Sequence, residues 1–228
     1  MNFPGRLNRL TILSARMKTT PKQHLSYCIL ISALTASCAL ADSQSGPAAS
    51  EGSFSVDDNF RTGWHEATFG STALFSNIRR RGDRPNVNYV LGYAQVAYAV
   101  TAPGDDGFFR GSFQLAPEAF AGGIYSGPGS YLAGGTLWFR YNFVQRGWKV
   151  VPYIEGGGGG TAIDLPHKYD GKDFNFNLDL GAGVRWFIEP RCSLNLEYRF
   201  QHISNANLWD HNAGVNTTGP SVGVSFFF

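Results

Sequence analysis

Cysteine is nearly missing from this chain. Three are present, and two of them, Cys28 and Cys38, fall in an N-terminal apolar segment that reads as removable. Only Cys192 would remain, which excludes an internal disulfide. Charge is scarce as well: 16% of residues are charged and the formal net charge is +2. A balance so near neutral, with no dense basic stripe outside Arg79, Arg80, Arg81 and Arg84, argues against nucleic acid as a partner. Past the N-terminus no run approaches the ~18 apolar residues that a membrane-crossing helix needs. No segment shows the helical period either. The five histidines lack the His-Glu-x-x-His spacing of a zinc hydrolase, so neither a metal nor a cofactor is expected. The glycine run from Gly156 to Gly160 has no Lys-Ser/Thr and no helix after it, so it is read as close strand packing rather than a phosphate loop.

The N-terminus carries an address. Met17-Lys18 with Lys22 and His24 makes a basic stub, "YCILISALTASCALA" an apolar core, and Ala39-Leu40-Ala41 a small-x-small cleavage site before Asp42. Residues 1–41 are therefore expected to be a secretory signal peptide, with Met17 as an alternative start. A lipoprotein signal cut before Cys38 is the competing reading, although Thr35 stands where such signals prefer Leu. Residues 42–63 are polar and expected in the periplasm, and 64–228 form the folded domain.

What the chain has in plenty is glycine and aromatics: 28 Gly, 18 Phe, 10 Tyr and 5 Trp, a composition that favours many short strands over helices. Eight runs are recognisable, at about 65–76, 87–101, 108–119, 131–143, 149–160, 174–188, 192–204 and 219–228. The sixth alternates strictly. Phe174, Phe176, Leu178, Leu180, Ala182, Val184, Trp186 and Ile188 share one face, while Asn175, Asn177, Asp179 and Arg185 share the other. In the seventh, Leu194, Leu196, Tyr198 and Phe200 oppose Ser193, Asn195, Glu197, Arg199 and Gln201.

Strands of this length exceed the usual five or six residues of a soluble sandwich. Charges on one face and export through a signal peptide point the same way, to an all-β, eight-stranded antiparallel transmembrane β-barrel of the outer membrane. The gaps between runs alternate long and short, as external loops and periplasmic turns do. Asp179, Arg185, Glu197 and Arg199 would then form a charge network in a lumen too narrow to be a pore. The last run, with Val222, Val224, Phe226 and Phe228 on one parity, resembles the assembly signal of such barrels.

Within this pattern His202 and Ser204 stand out, because their parity is that of Leu194 to Phe200 and would turn both toward lipid near the outer leaflet. At positions i and i+2 of one strand face, an imidazole can reach a serine hydroxyl. If the last hairpin is symmetric, Asn216 lies opposite His202, with Pro220 as a potential source of slippage. The plain alternative is a polar band where a strand leaves the membrane.

The segment "HISNANLWDHNAGVN" resembles the active-site segment of the outer-membrane lipid A 3-O-deacylases, the PagL-type acyloxyacyl hydrolases. The likeness extends back through "VPYIEGGGGG" and "FNLDLGAGVRWF". It implies that Ser204 is the nucleophile, that His202 is its general base, and that the side chain of Asn205 with a backbone N–H at Asn207 holds the oxyanion. It also implies lipid A of lipopolysaccharide in the outer leaflet as substrate, with loss of its 3-O-linked hydroxyacyl chain. Two positions depart from the family: Asn207 replaces a Gly, and Asn216 replaces the Glu that would orient the imidazole. An amide orients but does not neutralise an imidazolium, so weaker catalysis or a substitute acid such as Asp210 is expected. A non-catalytic barrel serving adhesion or envelope integrity, with a decayed site, is the alternative. The arginines of "RRRGDR" suit lipid A phosphates or simply a solvated loop.

Overall fold

The computed structural model describes residues 55–76 and 84–228. The expected signal peptide, residues 42–54 and Arg79 to Arg81 lie outside the described residues. A short 3-10 helix, Val56–Phe60, leads into eight strands. They are β1 (His65–Leu74), β2 (Asn88–Ala99), β3 (Ser112–Ser126), β4 (Tyr131–Asn142), β5 (Val150–Ile163), β6 (Phe174–Glu189), β7 (Cys192–Ser204) and β8 (Val215–Phe227). One helical turn, α1 (His167–Asp170), interrupts the β5–β6 loop. Every strand pairs antiparallel with the next, and β1 pairs with β8, so the sheet closes on itself. Closure gives each backbone amide a ladder partner without water, the condition for crossing a membrane with strands.

The barrel is inside out relative to a water-soluble protein. Phe69, Leu137, Ile154, Leu180, Trp186 and Leu196 point outward and are each about half exposed, whereas Glu66, Arg140, Glu155, Arg185 and Arg199 are buried in the lumen. Oily side chains facing out around a polar interior identify lipid as the surrounding solvent.

Inside, the charges pair. Arg185 and Arg140 both face Glu66. Arg140 Nε donates to Glu155 at 2.5 Å and Arg199 forks onto Glu118 at 2.9 and 3.0 Å. Arg199 Nε also donates to Glu197 at 2.5 Å. Asp179 is held by neutral groups, accepting from Thr136 at 2.9 Å and from the amide of Asn177.

Three strands differ in extent from the alternation. β3 begins at Ser112 and runs to Ser126, leaving Phe108 and Phe109 exposed in the preceding turn. β5 continues through its glycines to Ile163, since a residue without a side chain hides the period without breaking the ladder. β8 begins at Val215 rather than 219, and Pro220 pairs with Tyr198 without any slip. At the turn end of the barrel, Phe60 packs among Val144, Val151, Phe187 and Phe227. Asn59 Nδ2 donates to the Pro190 carbonyl at 2.8 Å, so residues 55–60 cap this end. Near the other mouth the lumen is filled by Leu74, Tyr89, Leu91, Ile203 and Val215, a packed apolar floor beneath the external loops.

Candidate active site

The site forms where β7 reaches the external loops. Ser193, Asn195, Glu197, Arg199, Gln201 and Ile203 point into the lumen and are buried, which leaves His202 and Ser204 on the outward face. His202 Nε2 lies 3.0 Å from Ser204 Oγ. Its Nδ1 lies 2.5 Å from the side-chain amide of Asn216, directly opposite on β8. The three side chains meet in the order serine, imidazole, amide. On the β6 side, Leu178 stands beside His202 and Phe176 beside Ser204, both largely exposed, so an apolar wall borders the hydroxyl.

The turn after Ser204 is shaped by asparagines. Ala206 and Asn207 take left-handed backbone with φ of 53° and 62°, a conformation open to Asn in place of the expected Gly. The two residues anticipated as oxyanion donors are engaged elsewhere. Asn205 is fully buried and its amide donates to the carbonyls of Asp170 and His211, both at 2.9 Å. The N–H of Asn207 donates to Asn205 Oδ1 at 2.9 Å. Both therefore build the turn instead of facing the serine, because a buried amide must spend its hydrogens on the nearest acceptors. Asn212 completes the frame: its Oδ1 accepts from the Asn205 N–H at 3.1 Å and its Nδ2 donates to Asn207 at 2.8 Å.

Two residues that sequence reasoning did not assign to the site lie against it. Asp170, at the end of α1, is buried, and its Oδ1 accepts from the Gly214 N–H at 3.1 Å while its Oδ2 has no hydrogen-bond partner among the described residues. Burial pushes its carboxyl above the usual range, opposed by the Gly214 hydrogen bond and by the nearby His202. Gly214 has φ 67°, and a Cβ there would stand 3.4 Å from His202 Cε1. Asp210, the acid the sequence offered, is instead exposed in the β7–β8 loop. The second residue is Arg84, whose Nη1 meets the face of the Asn216 amide turned away from His202. In the sequence it is marked only by membership in an arginine cluster; loop contacts across three strands leave no periodic signal.

Among the described residues no group of three or more His, Cys, Asp or Glu side chains is arranged to hold a metal ion.

The family model described as lipid A 3-O-deacylase (PagL) matches residues 92–225, more than half of the chain and all of the segment that carries the site. No curated protein sequence gives a significant match. Among solved structures, the outer membrane enzyme PagL is similar at 19% identity over 70% of this chain and 97% of its own, with a TM-score of 0.48. Neisserial surface protein A is similar at 17% identity over 72% and 96%, also at 0.48. The N-terminal β-barrel domain of Pseudomonas aeruginosa OprF follows at 15% identity over 74% and 98%, at 0.47.

Proposed function

The chain belongs to the lipid A 3-O-deacylase (PagL) family of the outer membrane, and on that premise we propose that it hydrolyses the 3-O-linked acyl ester of lipid A with Ser204 as nucleophile and His202 as general base. The observation that carries this reading is the 3.0 Å approach of His202 Nε2 to Ser204 Oγ on the lipid-facing side of β7. An ester at the root of an acyl chain lies just beneath the headgroups. A serine at the external end of a barrel strand is presented at that depth.

In the proposed reaction Ser204 Oγ attacks the ester carbonyl and its proton passes to His202 Nε2. The tetrahedral adduct collapses, the carbon–oxygen bond to the sugar breaks, and the sugar 3-hydroxyl leaves with that proton. Water then attacks the acyl-serine while His202 takes its proton; the bond from the acyl carbon to Ser204 Oγ breaks, His202 returns the proton to Oγ, and the 3-hydroxy fatty acid departs. Phe176 and Leu178 would line the departing chain, and Asn205 with Asn207 would serve the oxyanion only by holding the turn that follows Ser204.

Mass spectrometry of lipid A from cells expressing the protein tests the proposal. Loss of one hydroxyacyl chain, abolished by Ser204→Ala, is the expected result. Unchanged lipid A from a folded, outer-membrane-inserted barrel would favour the passive, non-catalytic reading, which the amide at position 216 makes worth keeping.

A further inference from the structure

Position 216 holds more information than its departure from glutamate. The side-chain amide of Asn216 touches two groups at once, Nδ1 of His202 on one side and Nη1 of Arg84 on the other. A guanidinium has donors and no acceptor. The amide atom that faces Arg84 must therefore be the oxygen. The nitrogen is left to face His202, and it reaches the Val215 carbonyl at 3.3 Å as well.

We infer that Arg84 is a positioning residue that fixes the Asn216 amide with its nitrogen toward His202, and thereby holds the imidazole in the tautomer protonated on Nε2. An amide N–H can only donate, so Nδ1 must accept and bear the lone pair. The ring proton then sits on Nε2 and is donated to Ser204 Oγ across the 3.0 Å contact.

This is the reverse of what a general base requires. Taking the proton of Ser204 needs a lone pair on Nε2 and a proton on Nδ1. With Nε2 already protonated there is no vacancy for the serine proton, so the hydroxyl accepts where it should donate. Activation requires the amide to rotate by half a turn, and in that orientation its N–H₂ group would confront the guanidinium. Arg84 opposes that rotation. A carboxylate at the same place would remove the conflict, because its two oxygens accept from Arg84 and from an Nδ1–H together. The arginine is thus suited to an acid at position 216 and, with an amide there, holds the site in a resting state.

The inference rests on the proposed serine–histidine chemistry for its meaning, but its test does not depend on turnover. Long-range proton–nitrogen correlation spectra of the ¹⁵N-histidine-labelled barrel in detergent micelles, at a pH above the ordinary imidazole range, report the tautomer directly, with His202 assigned from the spectrum of His202→Gln. The full chain should show His202 protonated on Nε2. Arg84→Met, which frees the amide to turn, should populate the Nδ1–H form. The isosteric Asn216→Asp should make that form dominant with Arg84 intact, and serves as the second variant should Arg84→Met disturb its loop.

An Nδ1–H imidazole in the unaltered protein, or an Nε2–H imidazole that persists in both variants, overturns the inference. Activity on lipid A is read separately: spectra as expected with no hydrolysis by any variant would leave the role of Arg84 standing and sink the deacylase reading.

Discussion

His202 and Asn216 stand directly across the β7–β8 ladder, and their side chains meet at 2.5 Å on the lipid-facing side. The third position of the site is therefore occupied by a neutral group in direct contact with the imidazole. In a serine protease an amide replacing the orienting carboxylate leaves the arrangement intact and lowers turnover by roughly 10⁴.

Asn216→Glu is accordingly expected to raise kcat on lipid A by on the order of 10² or more, with little change in KM, since position 216 acts through the imidazole of His202. Release of hydroxy fatty acid from lipid A in mixed micelles measures it. An unchanged or lower rate would mean that the third position is already served from elsewhere, with Asp170 the nearest candidate.

The register that creates this pair was legible beforehand, because β7 and β8 alternate cleanly enough for a symmetric hairpin to place position 216 opposite 202. The outward parity of His202 and Ser204 followed from the same alternation. The asparagine turn was not legible in its hydrogen bonding: the amide of Asn205 turns away from the serine because Asp170, thirty-five residues earlier, offers a carbonyl that only the folded loop brings near. Arg84 and Asp170 were invisible as site residues for the same reason. Strand period encodes which face a residue occupies, whereas contacts between loops depend on closure of the whole barrel.

Leu180 lies near the middle of β6, 54% exposed on the outer face. In water, replacing so exposed a side chain by Arg changes stability by less than about 0.5 kcal/mol. At a bilayer midplane it costs about 2–4 kcal/mol. Reversible urea unfolding in lipid vesicles should therefore show Leu180→Arg strongly destabilised, while Phe108→Arg in the turn, at 81% exposure, leaves the midpoint nearly unmoved. Equal effects at the two positions would contradict a lipid-facing surface at Leu180.

The glycines of β5 divide by what lies opposite them. A Cβ on Gly159 would stand 1.9 Å from the backbone oxygen of Gly135, whereas one on Gly158 would be 3.3 Å from that of Asn177. The first clash cannot be relieved by a rotamer change, because both partners are backbone. Gly159→Ala should cost about 1–3 kcal/mol, the scale of overpacking a tight contact, and Gly158→Ala distinctly less. Unfolding in the same vesicles ranks the two, and a reversed order would mean that the β4–β5 spacing is set by something other than these glycines.

Asp170 yields a pH dependence of definite sign. Burial raises its carboxyl above the ordinary range, so the folded protein binds this proton more tightly than the unfolded chain does. Stability from this group is complete below the unfolded value of about 3.9. It falls as pH rises through the raised folded value. Asp170→Asn keeps an oxygen for the Gly214 N–H and removes the buried charge. The variant should match the parent at acid pH and become the more stable of the two near neutrality, with a flatter profile between. Urea midpoints at several pH values measure the difference. Should Asp170→Asn instead lose stability only at neutral pH, the carboxylate would be held in its charged form, with His202 as its partner across Gly214.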